Sequence, residues 1–292
     1  MLTTRFAPAP TGFLHLGHVV NAIYVWGIAR QNGGQVLLRI EDHDRKRSRA
    51  EFEGAILEDL SWLGFVPDAG PVRQSDRLQI YEDALARLRT RGLVYACECS
   101  RSEIAASSEP GEELRYPGTC AAKGLAEGPD RGTRVRLAPT IERFDDLRHG
   151  PQTQQPSEQA GDLLVRDRDG NWTYQFAVTV DDAAQGVTLA VRGDDLLSST
   201  GRQIQLARLL GRAVPPRFFH HPLLMKTPTQ KLSKADGDAS VREMRRAGRT
   251  AADVVGRAAA LVGLIASERP LTADEVPTLF TVSIPGADSN SR

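Results

Sequence analysis

The sequence predicts an α/β fold, a doubly wound parallel sheet in which strands alternate with helices. The chain opens with a strand over residues 3–7, a Pro/Gly-rich turn, and a helix that begins at about Leu16. A second strand over residues 35–42 is followed by amphipathic helices over 48–63 and 80–88, the latter ending before Gly92. Further along, a strand over 188–192 leads into a helix over 196–210, with Asp194 or Asp195 as its expected N-cap.

Composition limits the class of protein. The 292 residues are 40% apolar and 25% charged, which is typical of a globular protein with a buried core and more than one domain. The 37 basic and 37 acidic side chains cancel, so net charge neither predicts nor excludes a nucleic-acid partner. No apolar run could span a bilayer and residues 1–5 lack the apolar part of a signal peptide, so we expect a cytoplasmic protein.

Two histidines, His15 and His18, lie at the start of the first helix with Gly17 between them. A helix N-terminus collects backbone N–H groups and the positive end of the dipole, which favours a phosphate there. Two imidazoles would add donors for the charge on a transferring phosphoryl group. A metal-binding pair is disfavoured because no acidic or cysteine partner is adjacent, and a merely structural pair remains open.

Two charged residues lie at the carboxyl ends of predicted strands, where open parallel sheets bind their ligands. These are Glu41, after the second strand, and Arg192, after the strand over 188–192. Glu41 is either a ligand group or a solvated carboxylate. Arg192 is either a ligand group or an ion-pair partner of Asp194 or Asp195.

Three cysteines occur close together, at Cys97, Cys99 and Cys120. They are too few for a disulfide framework and could form a tetrahedral zinc site if a fourth ligand is present. C-x-C is less diagnostic than C-x-x-C, so the spacing leaves structural zinc and free thiols equally open.

The remaining segments follow from local composition. Residues 139–162 are poor in apolar side chains and are predicted to be an exposed loop. Strand character resumes over 163–166 and 172–180 around the Asp169-Gly170 turn signal, and the second run leads into a helix. Residues 240–264 are predicted to be helical, and the Pro/Ser/Gly-rich end over 270–292 to be unstructured.

Several of these stretches resemble class I aminoacyl-tRNA synthetases. His15-Leu-Gly-His18 resembles the HIGH signature, and Lys231-Leu-Ser-Lys-Ala235 resembles the KMSKS loop with alanine in place of the last serine. The stretch from Arg5 to Gly12 and the motifs LRIED, YQFAVTVDD and AVRGDDLLSST are similar to the glutamyl subgroup. The resemblance covers roughly residues 3–264, and its motifs occur in the family order.

The resemblance implies a Rossmann-type catalytic domain with named site residues. It assigns catalysis to His15, His18 and Lys234. It assigns ATP binding to His15, Gly17, His18, Lys231 and Lys234. It assigns glutamate binding to Arg5, Ala7, Glu41, Tyr174 and Arg192. Two arginines and one carboxylate are complementary to glutamate, which carries two anions and one cation.

The cysteine region resembles the zinc-binding insertion of glutamyl-Q tRNA(Asp) synthetases, short paralogues of glutamyl-tRNA synthetases. In that insertion CxC and YxGxC supply the ligands, which implies a structural zinc on Cys97, Cys99, Tyr116 and Cys120. A tyrosine ligand must lose its phenolic proton, which the ion itself would promote.

The resemblance also implies a division of the chain. It gives a catalytic domain in two halves, 1–95 and 163–239, an insertion with the zinc site over 96–162, a helical segment similar to a stem-contact region over 240–269, and a flexible tail over 270–292.

The expected activity is ATP-dependent activation of L-glutamate to glutamyl-adenylate and transfer of the glutamyl group to queuosine in the anticodon of tRNA(Asp). Magnesium is expected with ATP, and the protein is expected to be a monomer. One alternative is a truncated glutamyl-tRNA synthetase that charges the 3′ end of tRNA(Glu). It is disfavoured because nothing in the chain could supply the helical anticodon-reading part of a complete enzyme. The other alternative is an inactive nucleotide-binding regulatory module.

Overall fold

The computed structural model describes residues 1–106, 114–227, 230–231 and 239–284. In these residues no helix has the length and apolar character needed to cross a membrane. The strands in chain order are β1 (Thr3–Phe6), β2 (Gln35–Ile40), β3 (Ala69–Arg73), β4 (Val94–Cys97), β5 (Gly132–Val135), β6 (Glu142–Asp146), β7 (Gly150–Gln154), β8 (Leu163–Arg166), β9 (Leu189–Gly193), β10 (Arg217–His221), β11 (Met225–Thr227) and β12 (Gln230–Lys231). The helices are α1 (Leu16–Gln31), α2 (Ala50–Leu63), α3 (Leu78–Thr90), α4 (Arg101–Ala105), α5 (Pro156–Gln159), α6 (Tyr174–Ala184), α7 (Thr200–Leu209), α8 (Val241–Arg246) and α9 (Ala251–Leu261). Short 3-10 helices cover Gln74–Arg77, Asp194–Ser199 and Val276–Leu279.

Two sheets of mainly parallel strands form the centre of the molecule. β1, β2 and β3 are parallel and hydrogen-bonded in that order. The second sheet has the order β7-β6-β10-β9, in which β6, β10 and β9 are parallel and β7 is antiparallel. The N–H of Thr188, just before β9, donates to the carbonyl of Thr3 in β1 at 2.9 Å, so the two sheets lie edge to edge. The predicted parallel α/β architecture is confirmed.

Helix α1 is buried along its length because it is covered on both sides. One side packs on β1 and β9, and the other packs on α9 and the 3-10 helix Val276–Leu279. Gly27 leaves room for the Phe280 ring: a Cβ atom at this position would come within 2.1 Å of the ring. A helix that is apolar all round is expected where it has no solvent-facing side.

The end of the described chain is therefore ordered, contrary to the prediction of an unstructured tail. Leu271, Val276, Phe280 and Ile284 are all buried. Asn32, which ends α1, donates from its side chain to the Val282 carbonyl at 2.9 Å. The apolar side chains here are too widely spaced to show a period, yet together they cover α1. Residues 285–292 lie outside the described part.

The prediction of an exposed loop over residues 139–162 is also wrong. This stretch forms the β6–β7 hairpin and α5, and β6 pairs with β10. Several of its buried side chains are polar, among them Glu142 and Asp146, so composition alone hid the strand. Through β6 this hairpin joins the same sheet as β9 and β10.

Three predictions need correction. The strand predicted over 172–180 is not formed: residues 174–180 begin α6, whose buried side chains pack against both α3 and α7, and Trp172 makes only an isolated β-bridge with Arg166. The N-cap of α7 is Ser199, and neither Asp194 nor Asp195 caps it. The helix predicted over 240–264 is two helices, α8 and α9, separated by Gly248 at φ 83°.

Candidate active site and cysteine cluster

A cavity of about 650 Å³ opens where the carboxyl ends of β1, β2, β9 and β10 meet the N-terminus of α1. It contains nearly all the site residues predicted from the sequence. They are Arg5, Ala7, His15, Gly17, His18, Glu41, Tyr174 and Arg192.

His15 and His18 hold each other in place at the start of α1. His15 is the N-cap: its Nδ1 accepts the Gly17 N–H at 3.1 Å, and its own N–H donates to Nδ1 of His18 at 3.2 Å. An imidazole nitrogen that accepts a hydrogen bond carries no proton, so each ring has its proton on Nε2. The ring centroids lie 4.0 Å apart. The helix terminus thus places both imidazole rings and the positive end of its backbone dipole at the edge of the cavity.

Gly17 is required by the His15 cap. A Cβ at this position would lie 2.9 Å from Cε1 of His15, closer than real side chains allow. A larger residue would displace the imidazole that caps the N-terminus of α1.

The side of the cavity formed by Arg5 and Glu41, for which glutamate binding is predicted, is held by buried ion pairs. Arg5 donates from Nε to Asp182 at 3.1 Å and is 4% exposed. Arg39 has no exposed surface and joins Asp182 at 2.8 Å to Glu41 at 3.1 Å. Burial raises the pKa of Asp182, but Arg5 and Arg39 together lower it by more, so the pKa lies below its usual value. One carboxylate therefore aligns Arg5 with the arginine that holds Glu41.

Arg192 has buried partners and lines the same cavity. Its Nε donates to Nε2 of His220 at 3.0 Å, Nη1 to Gln203 at 2.5 Å and Nη2 to Thr200 at 2.9 Å. Asp194, the alternative ion-pair partner considered from the sequence, is paired with Arg148 at 2.8 Å. Burial and neighbouring Arg5 lower the pKa of Arg192, although Tyr174 and Asp182 oppose the shift.

The KMSKS-like motif is only partly described. Lys234 lies outside the described residues, and Lys231 is the last residue of β12. Ser240 and Val241, which follow the motif, lie beside the first histidine: Ser240 forms a β-bridge with His15, and the Val241 N–H donates to the Leu14 carbonyl at 2.8 Å. The roles predicted for the two lysines stay predictions.

The three cysteines converge, as the sequence suggested. Their sulfur atoms all lie within 4.8 Å of one another, and Sγ of Cys99 is 3.5 Å from Sγ of Cys120. The Tyr116 hydroxyl accepts from Cys97 at 3.5 Å and from the Cys120 N–H at 2.8 Å. This cluster could hold a metal ion.

Among the donors of the cluster, Cys97 is the one whose surroundings favour the thiolate. Burial raises the pKa of Cys97, but hydrogen bonds with Tyr116 and Arg134 lower it overall. Burial and the neighbouring thiols raise the pKa of Cys99 to about 11, and burial also raises that of Tyr116. The Arg134 guanidinium lies 3.6 Å from the centre of the Tyr116 ring, where it would offset negative charge on the cluster.

Sequence reasoning missed the residues that support the cavity. Arg39 interrupts an apolar strand, and Asp182 follows an apolar run. A charge inside a run that is otherwise buried was the available signal, because such a charge needs a partner. Asp146 gave no such signal because it lay in a stretch predicted to be a loop. His220 gave none because no strand was predicted around it.

The fold and the cavity define a class I synthetase catalytic domain. The family model "tRNA synthetases class I (E and Q), catalytic domain" matches residues 1–268, and the chain belongs to this family. A glutamyl-Q tRNA(Asp) synthetase of Symbiobacterium thermophilum is 42% identical over 97% of this chain and 93% of its own length.

Glutamate–tRNA ligases are also similar. Glutamate–tRNA ligase 1 of Acidithiobacillus ferrooxidans is 43% identical over 84% of this chain and 53% of its own length. The crystal structure of a glutamate tRNA ligase from Elizabethkingia meningosepticum, in complex with its amino acid, matches with a TM-score of 0.79 and 27% identity. That match covers 96% of this chain, which spans 65% of the solved chain.

Proposed function

We propose that this protein activates L-glutamate with ATP to glutamyl-adenylate and transfers the glutamyl group to queuosine in the anticodon of tRNA(Asp). The observation that carries the proposal is the cavity in which Arg5, Glu41 and Arg192 lie beside the two-histidine helix terminus. Its acceptor part draws on the full-length similarity to the glutamyl-Q tRNA(Asp) synthetase of Symbiobacterium thermophilum.

Charge complementarity supports glutamate as the amino acid. Arg5 and Arg192 would receive the two carboxylates, and Glu41 would receive the ammonium group. Each guanidinium is already oriented by protein partners, so little side-chain freedom would be lost on binding. A dicarboxylic amino acid leaves no charge in this buried site unpaired, whereas a neutral one would leave an arginine without a partner.

The first step is an in-line attack by a glutamate carboxylate oxygen on the α-phosphorus of ATP. The new P–O bond replaces the bond to the bridging oxygen, and pyrophosphate leaves with its electron pair. The Nε2–H groups of His15 and His18 and the terminus of α1 would stabilise charge on the phosphoryl oxygens. Lys234 would neutralise the departing pyrophosphate, with Lys231 beside the nucleotide. Magnesium would enter with the ATP phosphates.

The cysteine cluster fits a structural zinc. The separation of 3.5 Å between Cys99 and Cys120 is close to the edge of about 3.8 Å in a tetrahedron with Zn–S bonds of about 2.3 Å. The third thiol, Cys97, and the Tyr116 hydroxyl complete four donors. Zinc there would fasten the two ends of the segment between Cys97 and Cys120, and four protein ligands leave no open position for substrate.

Two assays test the proposal in order. Glutamate-dependent ATP–pyrophosphate exchange without tRNA should be detected, since the proposed activation needs no acceptor. Its absence would favour an inactive nucleotide-binding module. Labelled glutamate should then attach to tRNA(Asp) that carries queuosine and not to the same tRNA without it, with the label in the anticodon loop after nuclease mapping. Label on the 3′-terminal adenosine would indicate a glutamyl-tRNA synthetase activity instead.

A further inference from the structure

A buried chain of three side chains leads away from the cavity through Arg192. His220 lies beside Arg192 in the register of β10 on β9, and Asp146 ends the neighbouring strand β6. The side chains of His220 and Asp146 are fully buried, and Arg192 is 3% exposed. Nδ1 of His220 lies 2.6 Å from Oδ2 of Asp146, and Nε2 lies 3.0 Å from Nε of Arg192.

The hydrogen bonds fix the protonation of this histidine. The Nε of an arginine can only donate, so Nε2 of His220 accepts and carries no proton. The proton therefore lies on Nδ1 and is donated to Asp146. The carboxylate is itself fixed, because its Oδ1 accepts the backbone N–H groups of Arg148 at 3.0 Å and His149 at 2.9 Å.

Arg192 is thereby left with a defined binding face. Contacts to His220, Gln203 and Thr200 occupy three of the five guanidinium N–H groups. At most two remain, one on each terminal nitrogen, and Tyr174 also forms a side-chain hydrogen bond with this guanidinium. Arg192 would therefore receive a substrate carboxylate through these terminal N–H groups.

We propose that Asp146 and His220 are positioning residues for Arg192: the aspartate fixes the histidine tautomer, and the histidine fixes the plane of the guanidinium that receives a substrate carboxylate. The inference rests on the proposed function, because it requires glutamate as the ligand of Arg192. Neither residue touches the reacting atoms in this arrangement. Their effect would be on the amino acid and not on ATP.

Asp146→Asn is the sharpest variant. Oδ1 would still accept the two backbone N–H groups of Arg148 and His149, but an amide NH₂ would replace Oδ2 and donate to Nδ1 of His220. The variant would also lose the hydrogen bond from the His220 backbone N–H, which Oδ2 accepts at 3.1 Å, so its unfolding free energy is measured alongside its kinetics. The histidine proton would then move to Nε2 and face the Nε–H of Arg192, two donors in contact. Replacing the carboxylate that orients a histidine has this effect on tautomer in serine proteases. We expect the KM for glutamate to rise about tenfold or more in pyrophosphate exchange, with the KM for ATP unchanged.

Glu142→Gln is the matched control. Glu142 is a buried carboxylate on the same strand and pairs with Arg208 at 2.6 Å, away from the cavity lining. Both Asp146→Asn and Glu142→Gln can lower the free energy of unfolding by weakening β6. Only Asp146→Asn should raise the KM for glutamate. Equal glutamate KM values in the wild type and Asp146→Asn would overturn the proposal.

A second pair separates position from volume. His220→Gln can place its Oε1 near the site of Nε2 and keep an acceptor for Arg192, whereas His220→Asn is too short to do so. The glutamine variant should retain a glutamate KM closer to the wild type than the asparagine variant. The reverse order would contradict a positioning role.

Nitrogen NMR on the wild type provides a test that does not depend on folded variants. The assigned His220 ring should show a protonated Nδ1 and an unprotonated Nε2 at pH 7.5. A proton on Nε2 would end the inference, whatever the kinetics. A wild type without glutamate-dependent exchange but with this tautomer would instead refute the proposed function and, with it, glutamate as the ligand of Arg192.

Discussion

The arginine-rich side of the cavity, with Arg5, Glu41 and Arg192, and the cysteine cluster are built on opposite principles. In the first, arginines and carboxylates lie inside a large core and neutralise one another, as Arg39 does with Asp182 and Glu41. In the second, the buried cluster around the thiols has four members among the residues that the structure describes, Tyr95, Cys97, Tyr116 and Cys120. Hydrogen bonds within the chain hold the side chains of the first region before a ligand binds, whereas the second region is rich in metal-binding donors and has few buried apolar neighbours. Order in one comes from the chain, and in the other we expect it to come from an ion.

Removal of the metal should break the second region and spare the first. We expect about one zinc per purified chain and loss of the metal in Cys120→Ser. Structural zinc sites contribute on the order of 10 kcal/mol, so a strong chelator should make the segment between Cys97 and Cys120 sensitive to proteases. Glutamate-dependent pyrophosphate exchange should persist.

Elemental analysis and limited proteolysis of matched holo and chelated samples would measure this difference. A chelated protein as resistant as the holo form would show that the thiols need no ion.

Arg192→Ala should have the next largest effect, on the first region alone. It removes one partner of a buried, charge-assisted contact, which costs about 4 kcal/mol, or roughly a thousandfold in glutamate activation. Zinc content should be unchanged. Arg77→Ala is the control, because Arg77 also pairs with a buried carboxylate, Asp181 at 2.6 Å, yet does not line the cavity.

Steady-state exchange kinetics with varied glutamate and varied ATP would separate the two arginines. If Arg77→Ala raised the glutamate KM as much as Arg192→Ala, the effect would reflect general destabilisation.

The sequence predicted the residues that line the cavity better than the buried residues that hold them in place. The alternation of apolar runs and turns located β1, β2 and β9, and the carboxyl ends of β2 and β9 carried Glu41 and Arg192, whereas β10 was not predicted. It could not pair Arg5 with Asp182, which is 177 residues away, or His220 with Asp146, 74 residues away. Such contacts depend on which strands become neighbours, and local periodicity carries no information on that.

Amino-acid composition gave the wrong secondary structure for α6 and for the β6–β7 hairpin. Residues 172–180 contain the valines, threonines and aromatic residues typical of a strand, but burial on several sides favours them equally in α6. The hairpin around Asp146 is polar because its carboxylates are held by buried hydrogen bonds, so it had the composition of a loop. In both cases tertiary packing overrode the local signal.

Acid should weaken the first region through Asp182, with a smaller effect. The pKa of this carboxyl is lowered in the folded protein, so its contribution to stability is present above about pH 4 and is lost as the pH falls below that. Asp182→Asn should be about 3 kcal/mol less stable than the wild type at pH 7, because it leaves Arg5 and Arg39 without their shared anion.

Urea unfolding of both proteins at pH 7 and near pH 3 would test the sign of this effect. The difference between them should shrink at the lower pH. A constant difference would mean that Asp182 remains ionised throughout or contributes only through its shape.

The hydrogen bonds of His15 have a consequence for mutagenesis. The His15 side chain caps the N-terminus of α1 and also borders the cavity. An alanine variant would therefore lose activity for two reasons at once: the first turn of the helix would fray, and the proposed phosphate donor would be missing. Fraying would carry His18 with it, since the His15 N–H holds that ring. Loss of turnover in such a variant would therefore be a composite quantity. A serine, which ends helices well but has no imidazole, would separate the two contributions.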